Sequence, residues 1–117
     1  IVTLQYASRH LRIMDVAKEI KRVLKTGGHF YHCDMLRPDN KLVEFLYYAY
    51  LRACLTSTAW LFRSGSAALG CREYFINALR MFYSADELSQ LFRQVGYREV
   101  SSETLLSGMV GFHKALK

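Results

Sequence analysis

His29, His32 and Cys33 crowd into one short stretch, and imidazole and thiolate are the ligands a zinc ion takes. In an extended segment, side chains alternate between faces. His29 and Cys33 therefore point one way and His32 the other, so the three do not converge and no metal is expected. The cysteines, Cys33, Cys54 and Cys71, are odd in number and far apart, with no C-x-x-C pair. That spacing suits neither a zinc site nor a disulfide framework; reduced thiols in the cytosol or a mitochondrial matrix fit best. Read by type alone, Arg9 is a surface ion-pair arginine. Asp34 follows an apolar run, where a carboxylate either faces a binding crevice or satisfies backbone and loop donors.

Sixteen Lys and Arg against ten Asp and Glu give a net charge of +6, the sign that favours nucleic acid or an anionic membrane surface. The cations are scattered, and no nucleic-acid-binding motif accompanies them, so a solvated basic surface is expected and nucleic acid is not. The segment Leu42 to Phe62 approaches bilayer-spanning length. It carries Glu44 and Arg52, which are costly in hydrocarbon, so it reads as a buried or surface-lying helix. Its aromatic residues Phe45, Tyr47, Tyr48, Tyr50, Trp60 and Phe62 read first as core. No signal peptide is expected, because no basic region followed by an apolar block opens the chain.

These residues need elements to position them. The chain has 117 residues, 51% hydrophobic and 22% charged, which is one small folded domain. Ile1 to Leu4 is a short β-branched run of the kind buried in a parallel sheet. Ile13, Val16, Ile20, Val23 and Leu24 recur at helical spacing, and Gly27-Gly28 is read as the end of that helix. A second strand, Phe30 to Leu36, closes at Pro38, and strand, crossover helix, strand is the unit of parallel sheets. Asp39 or Asn40 caps a helix that breaks near residues 63–66, and Ala67 to Tyr83 reads as mostly helical. Ser84 and Glu87 form a capping box, Leu88, Leu91, Phe92 and Val95 make one apolar stripe, and Gly96 ends the helix. Arg98–Leu105 and Met109–Ala115, joined at Ser107-Gly108, are predicted to pair antiparallel. The fold class is α/β.

The run Arg22-Val23-Leu24-Lys25-Thr26-Gly27-Gly28-His29-Phe30, with Asp34 after it, resembles the "RVLKPGG" signature and following acidic residue of the ubiquinone/menaquinone C-methyltransferases. Thr26 stands in place of Pro and Asp34 in place of Glu. Val2 to His10 is similar to that family's "ITISFGLRN", Arg72 to Leu79 to its "YRYLAESI", and Leu106 to His113 to its closing "LTAGVVALH". The resemblance implies the C-terminal half of a Rossmann-like class I methyltransferase sheet spanning residues 1–117, with two parallel strands, a crossover helix, extra helices and a closing antiparallel pair. Its glycines form no G-x-G, so the cofactor-gripping half is expected upstream of Ile1, and this fragment alone is expected to be inactive.

Several roles follow from the resemblance. The methyl donor is S-adenosylmethionine and the acceptor a polyprenyl quinol. Arg9 takes the place of the family's substrate-loop Arg, orienting a water or stabilising a developing phenolate. His10 replaces Asn, and a histidine can serve as the base, because its ordinary pKa lies near neutrality. Gln5 and Tyr6, at the carboxyl end of the first strand where ligands bind in open parallel sheets, are expected at the cofactor. The aromatic helix then has a second reading, as a lid over a polyprenyl quinone with peripheral membrane contact. Self-association into a homo-oligomer is expected from an unpaired strand edge. Two other readings stay open: a methyltransferase for another small molecule, and a non-catalytic half-domain that acts by self-association.

Overall fold

In a computed structural model, which describes residues 1–63 and 65–117, the apolar start of the chain forms strand β1 (Val2–Gln5), followed by a 3-10 turn at Ser8–His10. Helix α1 (Ile13–Val23) lays Ile13 and Ala17 on the core. It ends earlier than the glycines predict: Leu24 is already extended, its buried side chain anchoring the exit, while Gly27 at φ +75° forms the turn beyond. The helix stops there with Leu24 buried, and the turn that would follow, Lys25-Thr26-Gly27-Gly28, is a poor helix former. Strand β2 (His29–Met35) follows. Asn40, not Asp39, caps α2 (Lys41–Leu61), its side chain accepting from Leu42 N and Val43 N.

Helix α3 (Gly65–Arg80) begins where the break was expected, although Ser64 in that break lies outside the described residues. Helix α4 (Ala85–Val95) opens on the Ser84–Glu87 capping box and closes on Gly96 at φ +94°. A side chain at that φ is strained, and a Cβ there would sit 2.4 Å from Lys21 Nζ. Strands β3 (Arg98–Leu105) and β4 (Val110–Leu116) form the expected antiparallel hairpin.

The sheet order is β1-β2-β4-β3. β1 and β2 are parallel with Val2 opposite Phe30, and β4 inserts antiparallel between β2 and β3. The architecture is thus α/β, an open four-stranded sheet with the parallel pair and closing antiparallel pair that the resemblance implies. Helices α1 and α4 cover one face around Phe30, Leu36, Leu88, Phe92 and Ala115. Each large side chain fully buried there contributes about 1.5–3 kcal/mol.

A second cluster joins Tyr47 and Tyr48 of α2 to Ile76 and Leu79 of α3, with Met35 and Met109 beneath. Those two methionines place α2 and α3 over the carboxyl ends of β1 and β2, where ligands bind in such sheets. The core reading of the aromatic helix holds for Tyr47 and Tyr48 alone. Phe45, Tyr50, Trp60 and Phe62 are exposed, Trp60 at 81%. Among the described residues no helix is long and apolar enough to cross a membrane.

Candidate functional site

The chain leaves β1 through a forced bend. Tyr6 N donates to Cys33 O at 2.9 Å, which holds Tyr6 at φ +51°, a backbone conformation that a bulky residue adopts only when its surroundings impose it. The bend delivers the 3-10 turn onto Asp34, at the end of β2. Asp34 is fully buried. Its Oδ2 accepts from Ser8 N at 2.9 Å and from Ser8 Oγ. Its Oδ1 accepts from Arg9 Nη1 at 2.9 Å and Met35 N at 2.8 Å. Of the two roles open for Asp34, the structure shows the hydrogen-bonding one. The carboxylate is the anchor of the loop.

Arg9 is accordingly no surface arginine. Its side chain is 9% exposed, paired with Asp34, and its guanidinium lies 5.1 Å from the centre of the Phe75 ring on α3, a cation–π contact. Its Nε is buried with no hydrogen-bond partner among the described residues. A fixed guanidinium that gives one N–H to Asp34 keeps other N–H groups with which it can bind an oxyanion or a phenolic oxygen. Beside it opens a cavity of about 620 Å³, lined by Arg9, Leu11, Met14, Tyr74, Ala78 and Met81 among others.

His10 is exposed, and its Nδ1 lies 3.2 Å from the Tyr74 hydroxyl. The two rings are within 13° of parallel, with centres 6.1 Å apart. An Nδ1–H that donates to Tyr74 leaves Nε2 as the acceptor, the tautomer a general base requires.

Gln5 and Tyr6 sit at the same end of β1 but open onto a different cavity. That cavity, about 470 Å³, lies on the sheet with Tyr31, Cys33, Phe112 and Lys114. A hydrogen bond with Cys33 pushes the Tyr6 phenol above its ordinary pKa. Gln5 offers an amide and Tyr6 an aromatic face to it, and the nearby Glu103 is the cavity's carboxylate. Arg9 therefore lines its cavity, His10 touches that cavity's Tyr74 without lining it, and Gln5 and Tyr6 are set apart from both.

Sequence reasoning missed a buried polar string behind the loop. Ser8 Oγ lies 2.7 Å from His32 Nε2, His32 Nδ1 lies 3.3 Å from His113 Nδ1, and His113 Nε2 donates to Ala85 O at 3.0 Å. His32 and His113 are direct cross-strand partners in the β2–β4 register. Burial pushes the His32 imidazole down to about 4, and burial also lowers His113. Alternation did carry the signal: Phe30, His32 and Asp34 share a parity, so His32 shares the face of a core phenylalanine. Among the described residues no group of three or more His, Cys, Asp or Glu side chains could hold a metal.

A sequence model of the ubiE/COQ5 methyltransferase family matches residues 1–117. The demethylmenaquinone methyltransferase of Tropheryma whipplei (strain Twist) is 35% identical over 96 residues, covering 82% of this chain and 38% of that protein. The demethylmenaquinone methyltransferase of Symbiobacterium thermophilum is 29% identical over 119 residues, 99% of this chain and 47% of that protein. The mitochondrial 2-methoxy-6-polyprenyl-1,4-benzoquinol methylase of Homo sapiens is 27% identical over 118 residues, 100% of this chain and 35% of that protein. The chain thus spans less than half the length of each of these relatives.

Proposed function

The chain belongs to the ubiE/COQ5 methyltransferase family, and on that premise we propose that it supplies the acceptor side of an enzyme that C-methylates a polyprenyl quinol in ubiquinone or menaquinone biosynthesis. The relatives' names supply the substrate class. The observation that carries the reading is Arg9: a nearly buried guanidinium, clamped by Asp34 and Phe75, that lines the cavity with N–H groups still to give. S-adenosylmethionine, held in part by Gln5 and Tyr6, supplies an electrophilic methyl group.

Ring carbon becomes nucleophilic when the neighbouring hydroxyl gives up its proton. His10 Nε2 takes that proton, directly or through one water. The Arg9 guanidinium then hydrogen-bonds the phenolate oxygen, lowering the cost of its charge. Asp34 and Ser8 do not touch the acceptor in this scheme; they hold Arg9 in aim. The setting is the cytosol or mitochondrial matrix, beside the membrane in which a polyprenyl tail resides. A second reading, a non-catalytic module acting through self-association, is favoured by one observation, the bare edge of β1.

The test is a chimera in which this chain replaces the matching segment of the Symbiobacterium thermophilum relative. The chimera should methylate demethylmenaquinone. Arg9→Ala should lower turnover about 100-fold while changing cofactor affinity little. A chimera that folds and binds S-adenosylmethionine but transfers no methyl group overturns the proposal. A pH–rate profile unchanged in His10→Asn removes His10 from the role of base.

A further inference from the structure

We propose that Tyr74 is a substrate-contacting residue, its ring forming the surface on which the aromatic acceptor lies while the Arg9 guanidinium meets a ring oxygen. The inference rests on the methyltransferase reading above and adds a residue that sets its specificity.

Tyr74 and Ala78 fall at i and i+4 on α3, one stripe of the helix, Met81 follows just past its end, and all three line the cavity beside Arg9. Leu11, Met14 and Phe82 complete an apolar wall. The other charged residues of the cavity, Arg12 and Asp15, satisfy each other at 3.0 Å. The Arg9 guanidinium, which gives one N–H to Asp34, supplies the remaining donors.

Tyr74 is a large aromatic residue exposed at this wall, while its neighbour Phe75 carries the Arg9 guanidinium. Helix α3 therefore sends two successive aromatic residues to one site, one to hold the arginine and one to line the space beside it. The Tyr74 ring is oriented by His10, through the 3.2 Å contact and the near-parallel planes. A flat face, an apolar wall and the Arg9 guanidinium suit a planar ring with an oxygen substituent. Ala78, small and on the same stripe, leaves room for that ring.

The experiment is an NMR titration of this chain with 2-methoxy-1,4-benzoquinol, kept reduced, and with 1,4-cyclohexanediol as the saturated comparison. The quinol should bind saturably and shift the ring resonances of Tyr74 and His10, and the cyclohexanediol should bind at least about tenfold more weakly. Tyr74→Ala should weaken quinol binding about tenfold, the value of an aromatic pair, while Tyr74→Phe keeps the ring and stays within about threefold. Tyr74 is exposed, so neither variant threatens the fold. Undiminished binding in Tyr74→Ala, with shifts still centred on Arg9, overturns the role of Tyr74 and leaves the methyltransferase reading standing. Equal affinity for the cyclohexanediol overturns recognition of the ring by stacking. No saturable quinol binding by the unaltered chain overturns this inference, whereas a chimera without methyl transfer is what overturns the underlying function.

Discussion

Arg9 Nη1 lies 2.9 Å from Asp34 Oδ1, with the carboxylate fully buried and the guanidinium nearly so. Two charges withdrawn from water to that degree are costly unless each is fully engaged, and Asp34 is engaged by four donors. Removing the carboxylate leaves a buried cation unpaired and takes the acceptor from the backbone N–H groups of Ser8 and Met35. Asp34→Ala should therefore lose about 3–5 kcal/mol of stability in urea unfolding. Arg9→Met, which leaves Asp34 its three other donors, should lose less. Equal stability of Asp34→Ala and the unaltered chain would show that the ion pair does not hold the loop.

His32 and His113 set the response to acid. Burial lowers both pKa values, His32 to about 4. In the unfolded chain both rings take up protons below about 6.5, so there the unfolded state binds more protons than the folded one. Their contribution to stability is present above that pH and is lost as pH falls toward 4. For His32 the shift corresponds to about 3 kcal/mol. Denaturation midpoints at pH 7, 5.5 and 4 should fall steeply, and His32→Gln should flatten the slope. An unchanged slope in that variant would mean that His32 is not held neutral by the fold.

Local chemistry made much of this fold legible in the sequence. The Ser84–Glu87 box, Gly96 and the Asn40 cap act within one turn of chain, so their types alone place helix ends. The parallel pair and the hairpin followed from apolar runs and turn residues in the same way. What stayed hidden depends on partners distant in sequence. Leu24 leaves α1 with its side chain buried in the core. Ser8 reads as a loop serine until Asp34 and His32 are folded against it. Arg9 alone reads as a surface cation, and only the family resemblance drew it to a site. Its clamp by Asp34 and Phe75 spans residues 9, 34 and 75, a separation that no local pattern reports.

The exposed side of α2 predicts membrane contact. Leu42, Phe45, Leu46, Trp60 and Phe62 stand in solvent, with Lys41, Arg52 and Arg63 in the same segment. Apolar anchors beside cations bind anionic lipid surfaces, and salt screens the electrostatic share. Trp60 is the single tryptophan, so its emission reports on the segment. It should shift to the blue with vesicles containing phosphatidylserine at low salt and return toward the free value at about 0.5 M salt. No shift at low salt, with no protein sedimenting on the vesicles, would refute the contact.

The two edges of the sheet are treated differently, and that difference predicts self-association. The β3 edge is blunted: its register shifts between Arg98 and Ser101, Glu99 sits at φ +46°, and Arg98 and Glu103 add charge. Bulges and charges of this kind keep other strands away. The β1 edge has none of these. Val2, Thr3, Leu4 and Gln5 carry no charge and no proline, and β1 pairs on one side only, with β2. An unguarded apolar edge is a template for another strand, and a two-fold axis lets the same edge serve both partners. A dimer joined β1 to β1 should therefore form, with a mass twice the 13.6 kDa of one chain. Sedimentation velocity at about 100 μM suits an edge contact far smaller than a standard interface. Thr3 is exposed, so Thr3→Lys sets two cations against each other across the axis without disturbing the core, and it should return the chain to monomer. A monomer in the unaltered chain at that concentration, or a dimer that Thr3→Lys leaves intact, would rule out this edge as the interface.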